Sequence, residues 1–387
     1  MIRVAMIGTG SIAETHIKAF LQFPTRCQMV ALMDVYPEKA ERTKQAFGLA
    51  AKVYTDHRTL LDDCAFDLAV ICAPPFVHAP ATIDALNAGK HVLVEKPMAT
   101  SLQECDAMIA AARANKRLLS VIAQNRYRTP MLKLKQLAAS GLLGKIAHAQ
   151  IDSFWWRGAN YYNLWWRGTW EKEGGGCTLN HAVHQIDLFH WIVGMPQSLQ
   201  AILANVAHEN SQVEDFSTAV LFYENGGIGQ INASLVHHGE PQQFLIQGER
   251  ATIGVPWQVK ASNQRENGFP EPNPALENEL QARYDQLPAL PHELHAGQIA
   301  NVLAAIEGKA ALFVDGQAGR NTIELVTAIY ASGFSGARVT LPLAADHPLY
   351  TREGMLKRAP HFHEKTKSVE NFANNTITVG SSSDQKK

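Results

Sequence analysis

The residues best equipped for chemistry stand in two places. One is the tripeptide Glu95-Lys96-Pro97; the other runs Gly174-Gly175-Gly176-Cys177-Thr178-Leu179-Asn180-His181-Ala182-Val183-His184-Gln185-Ile186-Asp187. Asn180 and His184 are four residues apart and His184 and Asp187 three, so helical spacing predicts all three on one face. An imidazole flanked by a carboxamide and a carboxylate is the equipment of general acid–base catalysis. The plainer alternative is that His184 and Asp187 form a pair pinning the helix to its neighbours. The opposite stripe, Val183, Ile186, Leu188 and Trp191, is apolar and suited to packing inward. Lys96 follows the apolar run His91-Val92-Leu93-Val94 and precedes a proline that fixes φ, which gives its side chain a defined direction. A lysine partly desolvated there has a lowered pKa and exchanges protons near neutrality. Held by Glu95, it is instead an ordinary ion pair.

The rest of the chain must position these groups. It has 387 residues, 46% hydrophobic and 18% charged, with net charge −1. That is enough for two or three domains of a globular protein and gives no electrostatic reason to bind nucleic acid or an anionic membrane. No apolar run approaches the ~20 residues of a membrane span. The N-terminus enters a strand pattern with no secretory signal, and five scattered cysteines without CxxC pairs fit reduced thiols, so a cytoplasmic protein is expected. No metal is expected either, since His237-His238 and His361-Phe362-His363 bring no further ligands at metal-binding spacing.

The first third alternates strand and helix patterns, which predicts a parallel, doubly wound sheet. Ile2–Ile7 runs into Gly8-Thr9-Gly10-Ser11-Ile12-Ala13, a GxGxxA turn opening a helix. Gly8 permits the tight turn, Gly10 a close backbone approach to a pyrophosphate, and Ser11 and Ile12 begin the helix whose free N–H groups favour the anion. Asp34 ends the second strand, about twenty residues beyond the glycines. Its carboxylate suits the adenosine ribose hydroxyls and repels a 2′-phosphate, so NAD is expected rather than NADP; a simple turn or cap role is the alternative. Three further groups fall at strand ends, where such sheets bind ligands: Ala73-Pro74-Pro75-Phe76-Val77-His78, Glu95-Lys96-Pro97 and Gln124-Asn125-Arg126.

Together these features resemble the Gfo/Idh/MocA family of oxidoreductases. The likeness rests on Gly8–Ala13, Ala73-Pro74-Pro75 with His78, Ala88-Gly89-Lys90-His91-Val92-Leu93-Val94-Glu95-Lys96-Pro97, and the glycine-to-Asp187 stretch, and it spans roughly residues 1–345. It implies a Rossmann-type domain over 1–126 and a domain over 127–350 with an open, mostly antiparallel sheet backed by helices. A tail follows over 351–387. It also implies that Lys96 and His184 line the place where nicotinamide meets substrate, that Asn180 assists them, and that Asp187 contacts substrate. Many members carry aspartate where Asn180 stands; a carboxamide can orient His184 but cannot raise its basicity. Gly8, Gly10, Ser11, Ile12, Asp34, Ala73, Pro74, His78, Glu95, Lys96 and Asn125 are the expected cofactor contacts.

From Gly144 onward the pattern becomes strand-like, with runs at 147–154, 199–207, 217–223, 228–235, 244–247 and 252–255. Five of the seven tryptophans lie within sixteen residues, 155–170. Aromatic faces there can stack on a sugar ring while arginines bond its hydroxyls, which makes Trp155, Arg157, Tyr162, Trp166 and Arg167 substrate candidates with Asp187 and Asn125. A subunit interface uses the same residue types, and a homodimer or homotetramer is expected. The proline-rich stretch 257–291 reads as a long excursion, 292–306 and 318–330 as closing helices, and the tail as a surface or intersubunit strap with a disordered end at 381–387. The expected activity is NAD-dependent oxidation of a secondary hydroxyl of a sugar, glycoside or cyclitol, or reduction of the matching ketone. Its rivals are an NAD-using glycoside hydrolase working through transient oxidation and a non-catalytic NAD-binding regulator.

Overall fold

Short apolar strands build the first sheet: β1 (Ile2–Ile7), β2 (Cys27–Met33), β3 (Lys52–Tyr54), β4 (Leu68–Ile71), β5 (His91–Val94) and β6 (Leu119–Val121). All pair in parallel, in the order β3-β2-β1-β4-β5-β6, in a computed structural model that describes residues 1–370 and 372. β4 is buried along its whole length and β1 at all but one position, as expected for central strands covered by helices on both faces. The strand order reverses between β1 and β4, which opens a crevice beyond their carboxyl ends. Gly8 lies at its floor with φ +94°, and a Cβ there would stand 2.6 Å from the Cys72 carbonyl oxygen. Only glycine fits.

The second sheet has nine strands: β7 (Ile146–Phe154), β8 (Ser198–Ala204), β9 (Phe216–Phe222), β10 (Ile228–Ser234), β11 (Gln242–Gly248), β12 (Ala251–Val255), β13 (Gln258–Gln264), β14 (Pro270–Pro272) and β15 (Val339–Thr340). Its pairings are antiparallel except β7 with β10. Helices Val183–Val193 and Gly316–Ser335 back one face. Gly316–Ser335 also packs on β6 and Leu294–Ile306 on Ser11–Phe20, so the last helices join the two sheets. The other face of the second sheet carries Ile202, Val220 and Ile228 exposed, and a polar network in which Asn232 and Gln243 both donate to Asp152 at 2.7 Å.

Three sequence expectations change. Asn180 and His184 do not share a helix. A turn, Cys177–Asn180, ends before Val183–Val193 begins, because the His181 and Ala182 amides both turn to the Cys177 carbonyl. Asn180 also donates back to the Gly175 carbonyl at 2.7 Å, a local bond that competes with helix continuation. The stretch 257–291 is not an excursion but strands β13 and β14 and helix Pro274–Gln286. Its prolines mark the short edge strand and the first helical position, where a missing N–H costs nothing. Strand β3 and helix His57–Asp63, too short for a periodic signal, went unforeseen.

The tail packs on its own chain. After helix Arg352–Arg358 it crosses the aromatic loop: Trp170 donates to the Pro360 carbonyl at 2.8 Å, and Val369 exchanges backbone bonds with Asn163 and Trp165 at 2.7 and 3.0 Å. Residues 381–387, expected to be disordered, lie outside the described residues. Among the described residues no helix is long and apolar enough to cross a membrane.

Candidate active site

The first strand of the first sheet ends in a glycine turn that opens a helix. Helix Ser11–Phe20 starts at Gly10 with no side-chain cap; the Ala13 amide turns back to the Gly10 carbonyl at 3.0 Å, and the Ser11 and Ile12 amides ahead of it are the ones placed for an anion. A Cβ at Gly10 would meet nothing within 4 Å, which leaves its backbone open to a close ligand. Ser11 is exposed and Ile12 half-buried beside it. Asp34 accepts from the Thr9 amide and hydroxyl, each at 2.9 Å, and from the Tyr36 amide at 3.0 Å. It holds the glycine turn to β2 and keeps a carboxylate at the crevice edge. These features fit a dinucleotide pyrophosphate and ribose.

Lys96 and His184 come together. Both line one small crevice, with Ile122, Ala123, Val183 and Asp187. Lys96 Nζ donates to the Asn180 carbonyl at 3.2 Å. Burial lowers its pKa, and the Arg167 charge adds to this against Glu95 and Glu173. Among the described residues, the His184 ring has no hydrogen-bond partner, while its backbone belongs to helix Val183–Val193. Burial, reinforced by the Lys96 charge, pushes its pKa down to about 3. The imidazole is therefore neutral, the form that accepts a proton, and any proton it takes is soon passed on.

Several expected contacts turn out to be positioning groups. Asp187 is 5% exposed, and both its oxygens are taken by Arg126, at 2.8 and 2.7 Å, with Thr322 at 3.2 Å. Burial raises its pKa, but Arg126 and His190 overcome that and hold the carboxyl well below the usual range. His78 is 1% exposed, with its ring nitrogens 2.7 Å from the Pro97 carbonyl and 2.8 Å from that of Ala73. It ties two strand ends together and has no edge left for a cofactor. Glu95 is buried likewise: it takes the Lys96 amide at 3.0 Å and His16 at 2.7 Å, with His295 at 3.8 Å. Burial raises its pKa, yet those two histidines hold it well below the usual value. Pro74 is exposed at the cap of helix Pro75–Asn87, Ala73 half-buried before it, and Asn125 half-buried in the turn after β6.

The glycine run is explained by its neighbours. A Cβ on Gly175 would overlap the Tyr330 hydroxyl, and one on Gly176 the Glu214 backbone. The Glu214 carboxylate accepts from the Gly176 and Thr178 amides, each at 3.0 Å, anchoring the turn that carries Asn180. Burial pushes its pKa up to about 7.

The aromatic loop divides. Tyr162 is 1% exposed and packs edge-on against His208, so it shapes the loop from inside and cannot touch substrate. Trp155 is half-buried, with Arg157 stacked 5.3 Å above its ring and bonded to Glu240 at 2.7 Å. Arg167 lies between the Tyr161 and Trp166 rings, at 4.1 and 4.2 Å. Trp156 and Arg157 border a separate open pocket of about 360 Å³ beside His238 and Glu240. Sequence reasoning gave no role to Arg126, whose partner Asp187 is 61 residues away, nor to Tyr161, Glu173 and His181, which meet through Arg167 and across an irregular loop that has no periodic signal. It also missed the trio of buried His16 and Glu95 with half-buried His295, whose polar atoms gather within 4.8 Å.

Known proteins agree with this architecture. Residues 2–123 match the family described as oxidoreductase, NAD-binding Rossmann fold, and residues 131–254 match the GFO/IDH/MocA C-terminal domain. An uncharacterized oxidoreductase of Synechocystis is 32% identical over 65% of this chain and 71% of its own length. An inositol 2-dehydrogenase/D-chiro-inositol 3-dehydrogenase of Lactiplantibacillus plantarum is 24% identical over 66% and 71%. Among solved structures, the WlbA dehydrogenase from Bordetella pertussis, in complex with NADH and UDP-GlcNAcA, superposes with TM-score 0.77 and 29% identity, over 89% of this chain and 98% of that one.

Proposed function

This chain belongs to the Gfo/Idh/MocA family of NAD-binding oxidoreductases, and from that premise we propose that it oxidises a secondary hydroxyl of a sugar-type substrate, or reduces the matching ketone. The observation that carries the reading is Lys96 and His184 on one crevice, both desolvated, at the carboxyl ends of a dinucleotide-binding sheet. NAD, when bound, supplies the acceptor for a hydride from the carbon bearing the hydroxyl. Neutral His184 takes the hydroxyl proton. Lys96 donates to the same oxygen and stabilises its developing charge. Asn180 acts through its backbone carbonyl, which aims the Lys96 amine, while its amide is spent on Gly175. Asp187 and Arg126 fix the helix that carries His184.

Two relatives support the substrate class, one named for inositol and the other crystallised with a nucleotide sugar acid. Sugars, glycosides, cyclitols and nucleotide sugars all offer the required secondary alcohol. The reading includes a homodimer or homotetramer joined through the open face of the second sheet, where Ile202, Val220 and Ile228 are exposed. The test is NADH absorbance with NAD and a panel containing UDP-GlcNAcA and myo-inositol, in wild type, Lys96→Met and His184→Ala. Each variant is expected to lose about 10²–10⁴ in kcat while still binding NADH. Wild-type turnover in both variants would remove the assignment.

A further inference from the structure

A second cavity, outside the Lys96–His184 crevice, is open to a small molecule. It is the pocket of about 360 Å³ lined by Trp156, Arg157, Gly158, His238, Gly239 and Glu240, and it shares no residue with the walls of that crevice. Its volume is near the small end of ligand pockets, about 300–1,000 Å³, and suits a single ring. Two segments build it. The chain leaving β7 runs beside the chain leaving β10: the Arg157 amide donates to the Leu235 carbonyl at 2.8 Å and the His237 amide to that of Trp155 at 3.0 Å. The second segment then reverses over 237–240, where Gly239 (φ +79°) and Glu240 (φ +49°) are both left-handed. Glutamate rarely adopts that conformation. Here its carboxylate holds it, since Oε1 accepts from the Trp156 amide at 3.1 Å and from Arg157 Nη1 at 2.7 Å. Backbone strain held in this way gathers at ligand sites.

The lining is accessible and fixed. Trp156 is 45% exposed although His238 stacks on it with ring centroids 5.1 Å apart, so the indole still presents a broad apolar surface. Arg157 is pinned from behind, its Cζ 5.3 Å over the Trp155 ring and 5.9 Å over that of Tyr161. The Arg157 and Glu240 side chains are 18% and 17% exposed, so both reach the pocket and neither swings freely. Their mutual bond takes one nitrogen and one oxygen, which leaves donor capacity at Nη2 and acceptor capacity at Oε2. An aromatic face beside such a pair matches a polyhydroxyl ring: C–H groups stack on the indole while neighbouring hydroxyls accept from the guanidinium and donate to the carboxylate. The pair has no net charge, so it favours a neutral ligand over an anion or a cation. A second copy of the chain fits less well, because glutamate is depleted at interface cores.

We infer that this pocket binds a pyranose ring away from the Lys96–His184 crevice, stacked on Trp156 and hydrogen-bonded by Arg157 and Glu240. A glucose-configured ring fits it best, because its hydroxyls are equatorial and both its faces carry only C–H. The ring is a free sugar or the far end of a longer glycoside; the chemistry of recognition is the same. The inference goes beyond the dehydrogenase reading and does not depend on it.

The test uses the full chain with NADH bound and methyl β-D-glucopyranoside as the probe. Saturation-transfer NMR is expected to give a Kd of about 1 mM, with the hydrogens of one ring face saturated more than those of the other. Trp156→Ala is expected to weaken binding about tenfold, and Trp156→Tyr, which keeps a flat face, to recover part of the loss. Glu240→Gln, which loses the acceptor, is expected to weaken it about threefold or more. Lys96→Met/His184→Ala is expected to bind the probe as wild type does. No saturable binding in wild type, binding unchanged in Trp156→Ala, or binding lost only in Lys96→Met/His184→Ala overturns the inference. Sedimentation of Trp156→Ala is expected to match wild type; a shift to a smaller species makes the pocket a subunit interface and overturns it as well. Cellotriose separates the two sources of the ring. Binding tighter than the monosaccharide's in wild type but not in Lys96→Met/His184→Ala assigns the far end of a substrate, and equal binding in both assigns a free sugar.

Discussion

Replacing Arg126 with methionine asks whether its pair with Asp187 holds helix Val183–Val193, and so His184, in place. Both side chains are buried, and the guanidinium meets the carboxylate through two bonds of 2.8 and 2.7 Å. Without it, Asp187 keeps only the Thr322 hydroxyl at 3.2 Å and His190 at 3.6 Å. Removing one partner of such a pair leaves an uncompensated buried charge and costs about 3–5 kcal/mol. With an unfolding entropy of roughly 0.8 kcal/mol per degree for a chain of this length, that is a fall in Tm of about 4–6 °C. The sign with pH separates charge from packing. In wild type the Asp187 pKa is depressed, so its contribution is present above the unfolded value of about 3.9 and is lost only as pH falls through the lower folded value. In Arg126→Met burial dominates and the pKa rises, so the penalty is absent below about pH 3.9 and grows as pH climbs. Circular-dichroism melts at about pH 5 and about pH 8 should show the larger gap at the higher pH. Arg126→Met/Asp187→Asn should recover much of it. A variant melting within a degree of wild type at the higher pH, or a gap that does not narrow at the lower, refutes the argument.

Asp34→Ala should raise the KM for NAD about tenfold and narrow the preference over NADP, because the carboxylate that bonds a ribose and repels a 2′-phosphate is gone; an unchanged NAD/NADP ratio counts against the assignment. Ending the chain after Arg358 removes the backbone bonds of Val369 to Asn163 and Trp165 and the bond from the Trp170 indole N–H to the Pro360 carbonyl. Tryptophan emission should shift to the red and kcat/KM fall by about tenfold, while NADH affinity stays the same, since the cofactor cradle lies on the other sheet.

What the sequence shows of this molecule is what neighbouring residues decide among themselves. The Gly8–Ala13 turn, the parallel strands and the Lys96-Pro97 corner are set by local sterics and short-range hydrophobic patterning, so they can be read from adjacent letters. Strands β7 to β12 of the second sheet lie within a few residues of their expected runs for the same reason, while β13, β14 and β15 were not foreseen. Asn180 marks the limit. Its spacing to His184 promised a shared helix face, yet its own amide, bonded back to Gly175, helps to end the turn.

Spacing says which way a side chain faces and nothing about what meets it. The family resemblance implies a substrate contact at Asp187, while Arg126, 61 residues away, takes both its oxygens, a pairing that no local pattern shows. His78 and Glu95 were read as cofactor contacts on the same footing, and the fold commits them to Pro97, Ala73 and His16. Once every partner is counted, the polar groups of the site fall into two kinds. Asp187, Glu95 and His78 have their bonding capacity filled from within the chain, so they hold geometry. His184 and the Lys96 amine, beyond its single carbonyl, have capacity left over. Spare bonding capacity on the wall of the crevice is what sets these two groups apart from the residues that hold geometry.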